Sequence, residues 1–146
     1  MRIKKTSQAV TTDYQVNEIY TTSQSETYSC DYINTIVETG SNANGTYVKY
    51  ANGLLIQYNT IPQNGIAVTT SDGSLYRSGN LQLGSFPTTF YSAPKMFITL
   101  QGTSYGWVGQ CADTSTTNAG RIVIYRATSI ASATYSINYM AVGTWK

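Results

Sequence analysis

The chain has 146 residues, of which 11% are charged and 41% are hydrophobic, and its formal net charge is +2. This length suits one domain. Soluble globular domains typically have about 25% charged residues, so in this chain neutral polar groups must provide much of the solubility. The chain contains no His, the commonest general base and metal ligand, which excludes most catalytic and zinc-binding arrangements. We therefore expect no enzyme, no cofactor and no metal.

Residues 1–37 are polar and rich in Thr and Ser, with irregularly spaced apolar residues. This pattern predicts an extended N-terminal arm that becomes ordered by packing against another chain, although a first strand of the main domain is an alternative. Arg2, Lys4 and Lys5 form the one basic cluster, which we interpret as a solvated chain end. No basic stripe indicates nucleic acid.

The stretch at residues 38–45, ETGSNANG, is a dense turn signal and the predicted boundary between the arm and the main domain at 38–146. Two alternating runs follow, at residues 46–50 and 54–58. The Asn52-Gly53 pair between them is typical of a β-hairpin turn.

Further strands are predicted along the rest of the chain, in the order in which turn signals separate them. Turns are expected at residues 63–65 and 71–74, with a strand at 66–70 between them. A loop and short strand at 75–90 should deliver Phe86 and Phe90 to the core, and residues 128–134 are expected to form a loop. The last predicted strands are 95–101, 106–112, 121–127 and 134–145. No stretch has helical periodicity, so the prediction is an all-β antiparallel sandwich.

Neither membrane insertion nor classical secretion is expected. No apolar run reaches the 18 or so residues that cross a bilayer, and the N-terminus lacks the apolar core of a signal peptide. Cys30 and Cys111 could form a disulfide, but two reduced, half-buried thiols fit better with a protein made in a bacterial cytoplasm.

The acidic residues argue against glycosidase chemistry, which needs two carboxylates a few ångströms apart. Beyond Glu38, which lies in the predicted boundary stretch, the main domain has only Asp72 and Asp113, both in predicted loops. A sugar-binding site needs less, namely an aromatic ring to stack on and a few polar groups. The candidate residues are Tyr105, Trp107, Asp113, Asn118, Arg121 and Arg126. The alternative for Trp107 is a place in the core or at a subunit contact.

Residues 39–58, TGSNANGTYVKYANGLLIQY, resemble a segment of tail-fibre, minor structural and baseplate-associated proteins of tailed bacteriophages. Lys49, Asn52 and Gly53 match that pattern, whereas Leu54-Leu55 departs from its more usual Thr-Met. The C-terminal part resembles the same proteins and, more loosely, H-type lectin sandwiches. Its closing AVGTW, residues 141–145, is similar to the family's final edge strand.

This resemblance implies a homotrimeric sandwich at the end of a fibre or spike in a virion. Its arm would attach to other virion proteins, and its distal loops or protomer boundaries would meet a host-surface polysaccharide. A purely structural virion protein, such as a head-decoration fibre, collar or baseplate component, is the alternative function. The many Tyr, Thr and Asn residues are also consistent with strand faces that contact other chains instead of water.

Overall fold

The computed structural model describes residues 35–146, which form nine β-strands, all paired in antiparallel fashion. The predicted all-β antiparallel class is confirmed. Within this described part there is no helix that could span a membrane. The strands are β1 (Ile36–Asn42), β2 (Gly45–Tyr50), β3 (Leu54–Asp72), β4 (Leu75–Ser78), β5 (Leu81–Gln82), β6 (Lys95–Gly102), β7 (Trp107–Ala112), β8 (Arg121–Arg126) and β9 (Ile130–Thr144).

The predicted hairpin between β2 and β3 is confirmed. The backbone N–H of Gly53 donates to the carbonyl of Tyr50 at 3.0 Å, and the N–H of Leu54 donates to the side-chain oxygen of Asn52 at 2.9 Å. Asn favours tight turns because its side-chain oxygen can accept a hydrogen bond from the backbone N–H two residues later in the chain.

Strand β1 occupies most of the stretch 38–45 that was predicted as a turn, and the turn itself is confined to residues 43–44. Cross-strand contacts outweigh the local turn preference here. Glu38 accepts hydrogen bonds from the hydroxyl of Tyr47 and from the Nζ of Lys49, the latter at 2.9 Å. Such pairs across neighbouring strands are a main source of sheet stability.

The predicted turn at residues 63–65 is instead a bulge inside the continuous strand β3. Two residues lie between Gln63 and Ile66, against one between their partners on β9. Gly65 has a φ of +68°, which glycine adopts without strain. Because side chains alternate along a strand, the added residue returns the apolar positions to the inner face, where Val68 is fully buried.

Strand β9 begins at Ile130, inside the predicted 128–134 loop. The resemblance of its last residues implied an edge strand, but β9 is a central strand. It pairs with β3 on one side and with β6 on the other. The reason lies outside its own residues, because β3 and β6 pair with its two edges and the alternation within β9 describes only its faces. The buried residues of β9 are Ala133, Tyr135, Ile137, Tyr139 and Ala141.

The two long strands β3 and β9 join the layers of the sandwich into one open, continuous sheet. One half contains β1, β2 and β6 beside the two long strands, and the other half contains β4, β5, β7 and β8. Side chains from both halves share one core, which is closed by the predicted loop residues Phe86 and Phe90 with ring centroids 4.9 Å apart. Bulges of the kind seen in β3 allow a strand to pass from one layer to the other.

Several predictions concern residues 1–34, which lie outside the described residues. The arm and Cys30 are among them. Cys111 has a free thiol and is exposed, not half-buried as predicted, and its Sγ lies 3.7 Å from the side-chain oxygen of Asn80. The homotrimer stays a prediction.

Candidate binding groove

A groove of about 760 Å³ opens at the end of the sheet where β6 leads into β7 and β8 leads into β9. Among the described strands, β6 pairs only with β9 and β7 only with β8, so the two halves of the sheet are not hydrogen-bonded to each other here. The residues that line the groove are Leu100, Gly102, Thr103, Ser104, Tyr105, Gly106, Trp107, Arg126, Ala127 and Thr128.

Two aromatic side chains, both among the candidate residues, flank the groove. Tyr105 lies in the connection between β6 and β7 and is 96% exposed. Trp107 is the first residue of β7, lies opposite Tyr125 of β8, and is 48% exposed. Trp107 is therefore not a core residue, and both rings are free to contact another molecule.

Arg126 fixes the shape of the groove through three hydrogen bonds. Its Nε donates to the carbonyl of Tyr105 at 2.7 Å, and its two Nη atoms donate to the carbonyl of Thr128 and the hydroxyl of Ser104, each at 2.8 Å. A guanidinium has five N–H donors in a rigid plane. Three are used to hold the two connections together, and the other two have no hydrogen-bond partner among residues 35–146.

The connection that carries Tyr105 is also held at both of its ends. The backbone N–H of Thr103 donates to the carbonyl of Thr134 at 3.0 Å. At Gly106 a β-carbon would lie 3.0 Å from the carbonyl oxygen of Tyr125, a tight contact that glycine avoids at this close approach to β8. The exposed ring of Tyr105 thus lies on a connection that is held at both of its ends.

The other three candidate residues lie at the opposite end of β7 and β8. Arg121 begins β8, five residues before Arg126, which places the two about 17 Å apart along an extended strand. Asp113 is exposed in the connection that leads to Arg121. The Asn118 side chain accepts a hydrogen bond from Gly120 N–H at 2.9 Å and so shapes that connection. The structure brings Tyr105, Trp107 and Arg126 together and leaves these three apart from them.

Within the described part of the chain, residues 35–146, no acidic residue lines the groove. Glu38 is engaged elsewhere, where hydrogen bonds from Tyr47 and Lys49 lower its pKa. Asp72 accepts a hydrogen bond from the hydroxyl of Tyr125 at 3.2 Å and lies 3.5 Å from Nε of Arg77.

Sequence reasoning missed the polar groups that complete the groove. Thr103 and Thr128 come from two separate connections, and Leu100 supplies an apolar wall from β6. The signal was present in part, since both connections are Ser- and Thr-rich breaks between predicted strands. What the pattern lacked was the strand pairing that brings both breaks to one end of the sheet. The finished groove combines aromatic faces with neutral hydroxyl and carbonyl groups, a combination suited to a polyol.

The fold resembles that of a known structure. A chain described as an N-truncated R1-type pyocin tail fibre, solved at 1.7 Å resolution, superposes with a TM-score of 0.50 and 18% sequence identity. The match covers 84% of this chain and 96% of the other. No protein-family model matches the sequence, and no curated protein matches it. The likeness therefore concerns the fold.

Proposed function

We propose that this chain is a bacteriophage tail-fibre or spike protein, a homotrimeric component of the virion. In this proposal its N-terminal arm, residues 1–37, attaches to other virion proteins, and its β-sandwich binds a polysaccharide of the host surface. The protein is assembled in the cytoplasm of the host bacterium.

The fold likeness to a pyocin tail fibre supports the fibre part of the proposal. It spans most of both chains, and it agrees with the independent resemblance of residues 39–58 to tail-fibre proteins. Because one fold can host many functions, the binding role needs support from the site itself.

The groove carries the binding part of the proposal. The single observation behind it is the pair of exposed rings, Tyr105 and Trp107, beside an Arg126 that is fixed in place. A sugar ring presents a C–H face that stacks on an aromatic ring, and its hydroxyl groups bond to hydroxyl, carbonyl and N–H groups. Ser104, Thr128 and the two remaining N–H groups of Arg126 provide such partners.

We infer a role without catalysis. The chain has no His, and the carboxylates Glu38 and Asp72 are paired with groups of their own surroundings. Hydrolysis of a glycosidic bond would need an acid with a raised pKa beside the bound sugar.

The test is binding of purified wall or capsular polysaccharide, measured by calorimetry for the wild type, Trp107→Ala and a control, Tyr91→Ala. Tyr91 is an exposed aromatic that does not line the groove. Loss of one stacking contact should weaken binding about tenfold in Trp107→Ala, equivalent to roughly 1.4 kcal/mol. The control should bind like the wild type.

Equal binding by Trp107→Ala and wild type would remove the groove from the proposal. If no host polysaccharide binds at all, the alternative of a purely structural virion protein replaces the receptor-binding role. Release of reducing ends from the polysaccharide would overturn the inference that the chain is not an enzyme.

A further inference from the structure

The outer face of the half-sheet β1-β2-β3-β9-β6 carries an exposed apolar row. Tyr58 on β3 lies opposite Met140 on β9, which in turn lies opposite Phe97 on β6. Their exposed fractions are 48%, 43% and 58%. Three neighbouring strands thus present large apolar side chains side by side. The water-exposed face of an antiparallel sheet normally carries polar residues instead.

A second row beside the first extends the apolar surface. Val48 lies opposite Ile56, which lies opposite Val142, and all three are partly exposed. The two rows form one patch, which we call the outer patch. Contiguous apolar patches of this kind on soluble proteins commonly mark an interaction site.

The outer patch lies on a face with almost no charge. From the register and the alternation of side chains, Lys95 is the one charged residue among the outward-facing positions of these strands, and it lies on β6 at the margin. The other outward positions around the two rows are mainly Thr, Ser and Asn. A charged partner would find no complementary charge here.

The size of the face fits a protein partner. Five strands spaced about 4.8 Å apart, each contributing about 8 residues, give a face of roughly 24 by 27 Å, or about 650 Å². A specific interface of standard size buries about 800 Å² on each partner. The face alone therefore provides most of the area that a stable contact between two chains requires.

We propose that the outer patch is the surface through which copies of this chain associate with one another. Because the face is nearly uncharged, three copies of it can meet around a threefold axis without repulsion between like charges. This inference rests on the homotrimer of the proposed function, and it names the surface through which the three copies associate. None of the six outer-patch residues lines the groove, so glycan binding and association can fail separately.

The test compares the full-length wild type with Phe97→Asp and with Tyr91→Asp as a matched control, an exposed aromatic outside the outer patch. Molar mass is measured by light scattering over a concentration series. We expect the wild type at a multiple of 16.0 kDa, the control unchanged, and association at least tenfold weaker in Phe97→Asp. Circular dichroism checks that the variant is folded, and Tyr58→Asp repeats the test on another strand.

Oxidation of Met140 by hydrogen peroxide gives an independent measurement. The side chain is 43% exposed in the single chain, so it should be oxidised slowly in the associated wild type and several times faster in Phe97→Asp. The neighbouring inward-facing Met96 serves as the internal reference.

Three results would overturn the proposal. One is a wild type that is monomeric with Met140 rapidly oxidised. Another is a monomer in which Met140 is protected, which would mean that residues 1–34 of the same chain cover the outer patch. The third is an oligomer that persists unchanged in both Phe97→Asp and Tyr58→Asp, which would assign association to a different surface.

Discussion

Replacing Gln57 with Leu should destabilise the protein strongly, although the new side chain is apolar and similar in size. Gln57 is fully buried on β3. Its Nε2 donates to the carbonyl of Thr88 at 2.8 Å, and its Oε1 accepts from the N–H of Thr88 at 3.0 Å. This pair of bonds fixes the loop between Phe86 and Phe90, the two rings that close the core.

The expected loss of stability follows from the N–H and carbonyl groups of Thr88, which would both lose their hydrogen-bond partner. Each buried polar group left without a partner costs about 1–3 kcal/mol, and Thr88 is only partly buried, so about 1.5 kcal/mol each is reasonable. The apolar Leu side chain recovers about 1 kcal/mol through burial. Gln57→Leu should therefore lower the free energy of unfolding by about 2 kcal/mol, equivalent to a fall in Tm of about 4–8 °C for a domain of this size.

The assay is urea denaturation followed by circular dichroism, with Gln82→Leu as the control. Gln82 is exposed on β5, and its replacement should change stability by no more than about 0.5 kcal/mol. Near-ultraviolet circular dichroism should also report loosening of the loop around Thr88. Wild-type stability in Gln57→Leu, or a gain, would refute the view that this side chain anchors the loop.

Three further predictions concern buried polar groups. Ser78→Ala removes the hydroxyl that accepts from the buried N–H of Ile124 at 2.9 Å, and should cost about 1–3 kcal/mol in denaturant titrations; an unchanged midpoint would contradict this. The hydroxyl of Tyr135 is buried and has no hydrogen-bond partner among residues 35–146, so Tyr135→Phe should stabilise the protein by about 1 kcal/mol, and a clear loss would show that the hydroxyl has a partner. Burial raises the pKa of Tyr139 from 10.0 to about 12. Because the folded state then keeps a proton that the unfolded chain releases, stability should be intact below pH 10 and fall by up to about 3 kcal/mol as the pH rises from 10 to 12. Tyr139→Phe should remove that part of the loss, and the same decline in both proteins would exclude this residue as its source.

Local signals were enough to predict the fold class and the hairpin between β2 and β3. Low charge and abundant Thr and Tyr favour strands, and the Asn52-Gly53 pair is a turn signal that depends only on its immediate neighbours. The aromatic half of the groove was also predictable, because Tyr105 and Trp107 adjoin a break between two predicted strands.

The same local signals failed where a distant strand decides the outcome. Residues 63–65 have the composition of a turn, yet pairing with β9 over the full length of β3 turns them into a bulge. The C-terminal strand is central because β3 and β6 cover both of its edges.

The groove shows most clearly which features depend on local sequence and which depend on strand pairing. Arg121 and Arg126 are residues of the same type on the same strand, so the sequence offers no basis for choosing between them. The pairing of Trp107 with Tyr125 places the end of β8, and with it Arg126, beside Tyr105. Residue type and alternation are properties of a short segment, whereas register is set by contacts between segments far apart in the chain. For that reason the chain's own pattern determined the fold class and most of the strands, whereas only the tertiary structure decided where strand pairing overrides a turn signal and which strand ends meet.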